Sequence, residues 1–170
     1  MGAGIDSAGD HMTNEHGAEL KPGQPAPDFE AVDADGTSWQ LSNLRGRSVV
    51  LYFYPEDDTP GCTAEACDFR DAHSSFVDEN YVVLGVSPQG AASHQRFAAK
   101  HRLNFPLLVD ADLTIAKRYR AVRQNPSAKG AGLRIMRSTF VIDDKGVITH
   151  ALYGVQGRGH VKELRDLLAV

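Results

Sequence analysis

Two runs, Ser48 to Tyr54 (SVVLYFY) and Tyr81 to Val86 (YVVLGV), are almost wholly apolar, without the polar alternation of a half-buried strand. Strands of this composition are covered on both faces, so the sheet they build needs packing layers above and below it. Between them, a Thr59-Pro60-Gly61 breaker precedes a segment from Cys62 to Val77 that spaces Ala66, Phe69, His73, Phe76 and Val77 as one face of a helix.

The same reading extends along the chain. Phe29 to Asp33, Ala34-Asp35-Gly36 and Ser38 to Leu41 predict an N-terminal hairpin. Ala91 to His101 predicts a helix, Leu107 to Val109 a short strand and Leu113 to Tyr119 another helix. Thr139 to Ile142 and Val147 to Tyr153 predict a second hairpin, turned at Asp143 to Gly146, and Gly159 to Leu168 a last helix. This order defines one α/β domain with a mixed sheet and helices on both faces. Arg123 to Gly132 (RQNPSAKGAG) shows no periodicity and predicts a mobile loop. Residues 1–19 read as a disordered tail, in part the remnant of an expression vector with the native start at Met12, and residues 20–170 as the domain.

A chain of 170 residues, 42% hydrophobic, supports a full-sized core without staples. A net charge of -4 without any Lys/Arg run argues against nucleic-acid and anionic-membrane partners. No apolar run approaches the roughly 20 residues of a membrane-spanning helix, and no cationic, then apolar, leader marks secretion. A cytoplasmic protein is the expectation. In that compartment two neighbouring cysteines are redox-active or metal-binding more often than structural.

Cys62 and Cys67 are the only cysteines, five residues apart. Structural zinc takes four ligands, but there is no second cysteine pair to complete such a set. Ordinary buried packing suits Cys67, on the apolar helix face, better than Cys62. Cys62 stands where a buried strand gives way to a turn and a helix begins. Thr59 is placed to cap that helix, Pro60 suits its first turn, and unpaired N–H groups face the sulfur. A helix N-terminus favours a thiolate by only about 0.3 to 1 kcal/mol. Asp57, Asp58 and Glu65 oppose it. A cation from elsewhere in the fold is therefore required, and arginine suits the task because it is always charged and presents several donors.

The pattern Pro55-x-x-x-Thr59-x-x-Cys62 resembles the active-site signature of the peroxiredoxins, and YFYPEDDTPGCTAEACDFRD is similar to the bacterioferritin comigratory protein (peroxiredoxin Q) subfamily. Leu84 to Ser87, Ser93-His94-x-x-Phe97, Phe105 to Asp110 and Arg137 to Asp143 follow the family pattern in order, so the resemblance covers about residues 20 to 168. It implies a thioredoxin-like fold with an N-terminal β-hairpin extension and a peroxidase acting on hydrogen peroxide and organic hydroperoxides. By the resemblance, Cys62 is the peroxidatic cysteine, oxidised to sulfenic acid, and Cys67 the resolving cysteine that forms an intramolecular disulfide with it. Thr59 would hydrogen-bond the peroxide, Pro55 would shield the pocket, Arg137 would be the cation and Glu65 would orient it. Thioredoxin or a similar dithiol is the implied reductant, and a monomer or weak dimer the implied state. No cofactor is expected, since the chain has no Cys-x-x-Cys-His, G-x-G-x-x-G or P-loop.

Each residue also has a plain structural reading. Thr59 can be a helix cap, Arg137 a surface ion-pair partner with Arg134 close by, and Glu65 a first-turn acid favoured by the helix dipole. Asp57 and Asp58 read as solvated loop acids, and the histidines as surface or core residues rather than bases. Two other functions remain open: a disulfide oxidoreductase, although C-x(4)-C departs from C-x-x-C, and a non-enzymatic thiol redox sensor.

The cysteine spacing itself constrains mechanism. Positions five apart on an α-helix have Cα atoms roughly 8.7 Å apart, whereas a disulfide tolerates at most about 7 Å. The two sulfurs cannot join until the first turns of the helix unwind. A disulfide formed that way is readily reduced by an external dithiol.

Overall fold

The computed structural model describes residues 17–125 and 132–170. β1 (Glu30–Val32) and β2 (Ser38–Gln40) form the N-terminal hairpin, followed by a 3-10 turn over Leu41–Leu44. Then come β3 (Ser48–Phe53), α1 (Pro60–Asp78), β4 (Tyr81–Ser87), α2 (Ala91–His101), β5 (Leu107–Val109) and α3 (Thr114–Arg118). The chain closes with β6 (Val122–Gln124), β7 (Leu133–Ile135), β8 (Ser138–Ile142), β9 (Ile148–Tyr153) and α4 (His160–Leu168). The central sheet has the order β5-β4-β3-β8-β9. β3, β4 and β5 run parallel, while β8 runs antiparallel to both β3 and β9.

The unbroken apolar run of β3 follows from its place at the centre of this sheet. Val49, Leu51 and Phe53 pack on one face with Leu41, Ile115, Tyr119, Val122 and Ile135. Val50 and Tyr52 pack on the other with Ala66, Phe69, Phe76, Phe97 and Leu164. Three helices, α1, α2 and α4, therefore cover the second face. The first is covered by short extended segments and α3, less helical than the sequence pattern suggests.

The predicted loop from Arg123 to Gly132 is corrected at its start. β6 and β7 pair antiparallel with Arg123 opposite Arg134, and Val122 and Ile135 are buried beneath them. Three-residue strands are too short to display a period, so only tertiary burial reveals them. Residues 126–131 of that prediction, and residues 1–16 of the predicted tail, lie outside the described residues. Among the described residues no helix is long and apolar enough to cross a membrane.

One register positions the site. Phe53, the last residue of β3, pairs with Ser138, the first of β8. Whatever precedes Ser138 therefore stands beside the segment that follows Phe53.

Candidate active site

The chain leaves β3 through Tyr54, whose N–H still donates to the Val86 carbonyl at 3.0 Å, passes through residues 55–59 and enters α1 at Pro60. Cys62 lies in the first turn and is 1% exposed. Arg137, the residue before β8, has its backbone fixed by neighbours: its carbonyl accepts the Val155 N–H at 3.0 Å, and the adjacent Met136 N–H donates to Ala121 at 2.9 Å. Its guanidinium forks. Nη2 donates to Cys62 Sγ at 3.2 Å, and Nη1 donates to Glu65 Oε1 at 2.6 Å. Arg137, rather than Arg134, is the cation at the thiol, and an arginine fork is the group able to serve two anions at once.

Glu65 follows Cys62 by three residues, so both side chains lie on one helix face. It is fully buried, and Oε2 has no hydrogen-bond partner among the described residues. Burial pushes its pKa up to about 7, and the charge and hydrogen bond of Arg137 offset this only in part. Burial depresses the Arg137 pKa, but the charges of Glu65 and Cys62 outweigh it and the net shift is upward. A carboxyl whose folded pKa is raised contributes stability that is fully present below its unfolded value and is lost as pH climbs through the folded one. The window here runs from 4.5 to about 7. The unfolding free energy of the reduced parent minus that of Glu65→Gln should fall by about 2 kcal/mol between about pH 5 and 8. Urea titrations check this; a pH-independent difference would mean that Glu65 is ionised throughout.

Thr59 occupies the cap position in an extended conformation, but its side chain makes no capping bond. Its hydroxyl donates to the Glu56 carbonyl at 3.0 Å, while its own carbonyl accepts the Thr63 N–H at 2.8 Å. Pro55 is half-buried and shares with Arg123, Arg134 and Arg137 the wall of a cavity of about 190 Å³. Cys67 lies further along the unbroken α1, half-buried, and both thiols are free. Among the described residues, no three His, Cys, Asp or Glu side chains converge to hold a metal ion.

Two features went unread in the sequence. Asp57 is not a solvated loop acid but is buried, accepting hydrogen bonds from Tyr54, Ser93 and His94. Asp58 does face solvent, paired with Lys100 and His101. Secondly, Gly157, before α4, packs against the Gly61 carbonyl so closely that a Cβ there would collide with it. Only glycine permits that approach. Neither feature has a local sequence signal, because Ser93 and His94 for Asp57, and Gly61 for Gly157, come from distant elements.

A thiol at the start of a helix, at the C-terminal edge of parallel strands and against an arginine delivered by the neighbouring antiparallel strand, defines a thiol-based oxidoreductase of thioredoxin-like fold. Known proteins narrow that class. The chain belongs to the AhpC/TSA family of peroxiredoxins, whose family model matches residues 22–151. Peroxiredoxin Bcp of Bacillus subtilis is 43% identical over 149 residues, covering 88% of this chain and 95% of the relative. A peroxiredoxin Q from Xylella fastidiosa, solved as a cysteine-to-serine variant, superposes with a TM-score of 0.83 at 30% identity, covering 90% of this chain and 98% of the other. Peroxidoxin BcpB of Mycobacterium tuberculosis gives 0.79 at 34% identity, covering 89% and 99%. The protein is a thiol peroxidase, with a peroxide as substrate and a thiol as reductant.

Proposed function

We propose that this peroxidase, acting within one domain of residues 20–170, uses Cys62 as the peroxidatic and Cys67 as the resolving cysteine. The observation that carries the reading is the 3.2 Å hydrogen bond from Arg137 to the Cys62 sulfur. A guanidinium there favours the thiolate, the nucleophilic form of the thiol. The thiolate attacks the terminal oxygen of hydrogen peroxide or an organic hydroperoxide, and the O–O bond breaks. Cys62 becomes sulfenic acid, and the leaving oxygen departs as water or an alcohol after taking up a proton. Arg137 stabilises the charge on that oxygen as it develops. Pro55 walls the pocket, and Thr59 turns its hydroxyl from Glu56 to the bound peroxide. Glu65 holds the guanidinium plane.

Cys67 thiolate then attacks the sulfenic sulfur, forming the Cys62–Cys67 bond and releasing hydroxide, which is protonated to water. Because α1 is unbroken across both cysteines, this step requires its first turns to unwind. A dithiol such as thioredoxin reduces the disulfide, becomes a disulfide itself and returns both thiols. Family membership supports an enzyme over the non-enzymatic sensor.

Steady-state consumption of hydrogen peroxide with a thioredoxin system should continue through many turnovers; a single oxidation followed by arrest defeats the cycle. In the same preparation, formation of the Cys62–Cys67 disulfide, mapped by peptide mass spectrometry, should lower the helical circular dichroism. An unchanged spectrum alongside a fully formed bond would refute the unwinding.

A further inference from the structure

Asp57, His94, Ser93, Tyr54 and Gln89 form a polar cluster that the chemistry above does not use. Asp57 is the one buried residue of the 55–59 segment, two positions from both Pro55 and Thr59. Its carboxylate accepts hydrogen bonds from Tyr54 Oη at 2.6 Å, Ser93 Oγ at 2.7 Å and His94 Nδ1 at 2.7 Å. Its backbone N–H donates to Gln89 Oε1 at 3.0 Å. Burial alone pushes the Asp57 carboxyl up, but the bonds from His94, Tyr54 and Ser93 outweigh it and hold the pKa below the ordinary range.

His94 is completely buried, and its Nε2 lies 3.0 Å from the Leu108 carbonyl in β5. A carbonyl can only accept, and so can an ionised carboxylate. Each ring nitrogen faces one of these oxygens, and the pair is a buried His–Asp contact tied at both ends of the ring. Such pairs add little net stability over apolar packing, but they select one conformation when every donor and acceptor is satisfied. The other tie between this segment and α2, from Asp58 to Lys100 and His101, is exposed and is a weak anchor.

We propose that Asp57 and His94 are positioning residues for peroxide attack: their pair fixes the 55–59 segment to α2 and β5, and so sets where Thr59 and the first turn of α1 stand when substrate binds. The inference rests on the reading that Cys62 reacts and that peroxide binds among Pro55, Thr59 and Arg137. Neither α2 nor β5 carries a cysteine, so the anchor stays outside the part of the fold that unwinds.

Two substitutions at one position separate positioning from packing. His94→Asn places an amide nitrogen where Nδ1 stood, keeping the Asp57 bond and giving up Leu108. His94→Gln reaches the Nε2 position, keeping Leu108 and giving up Asp57. Two rates are read for each: single-turnover oxidation of Cys62 by hydrogen peroxide, and alkylation of Cys62 by iodoacetamide, which needs the thiolate but no peroxide geometry. His94→Gln should lose about 10- to 100-fold in peroxide rate, with alkylation changed by less than about threefold, and His94→Asn should recover most of the loss. Equal peroxide rates in the two variants, or parallel losses in both assays, overturn the proposal. If either variant fails to fold, Asp57→Asn is read instead, which keeps the side-chain shape and weakens the contact with His94. A peroxide-specific loss of about three- to tenfold then supports the proposal, and an unchanged rate overturns it. The parent is the control for the underlying reading. A parent whose Cys62 is inert to peroxide defeats that reading, whereas a normal parent with a normal His94→Gln defeats only the positioning role.

Discussion

Cys62→Ser will consume peroxide no faster than the solution reaction, a loss on the order of 10⁴-fold or more, as expected for removal of a nucleophile. Cys67→Ser will react once at a near-parental rate and stop at sulfenic acid. The contrast follows from the surroundings of the two sulfurs. Cys62 receives a hydrogen bond from a guanidinium in a buried pocket. Among the described residues no donor reaches the sulfur of Cys67, which is half-buried on the same helix. Mass spectrometry after one equivalent of peroxide distinguishes the species, with a gain of one oxygen at Cys62 in Cys67→Ser and no fast product in Cys62→Ser. Rapid oxidation of Cys67 in the latter would reverse the assignment.

Replacing Arg137 with Met should lower the rate of Cys62 oxidation by about 10²- to 10³-fold, the effect of removing a donor aimed at developing charge. Arg137→Lys should restore only part of this, because a single ammonium cannot reproduce the planar fork to Sγ and Glu65. The loss should be kinetic, with the fold retained. Without Arg137, burial favours the neutral form of Glu65 still more, and a protonated carboxyl avoids the cost of an unpaired buried charge. The circular dichroism of reduced Arg137→Met should therefore match the parent at neutral pH. Parental peroxide kinetics in this variant would remove the guanidinium from the mechanism.

The most legible parts of the fold were those whose burial leaves a long signature. β3 and β4 announce themselves by apolar runs, and α1 and α2 by the spacing of Phe69, Phe76 and Phe97. The β6–β7 hairpin was missed because its burial is limited to Val122 and Ile135, with Arg123 and Arg134 between them in the pairing. At the site, local sequence marked Cys62 and the need for a cation, but not which cation. That choice depends on the Phe53–Ser138 register, a tertiary fact reached beforehand only through family resemblance. Asp57 was misread for a related reason. An acid in a Pro- and Gly-rich turn looks solvated until the partner that buries it, His94 on another helix, is in view.

Arg137 belongs to the sheet, whereas Cys62 and Glu65 belong to the helix. Its backbone is tied to Val155 and, through Met136, to Ala121, so none of its main-chain anchors is shared with α1. In the proposed cycle the helix leaves and the charge stays behind. The oxidised enzyme then presents a guanidinium stripped of both its anions, and each reduction regenerates a thiolate that this fixed charge attracts. Recovery of the reduced state is thus guided docking onto a standing template rather than a fresh search, and the sheet retains the imprint of the site through every turnover.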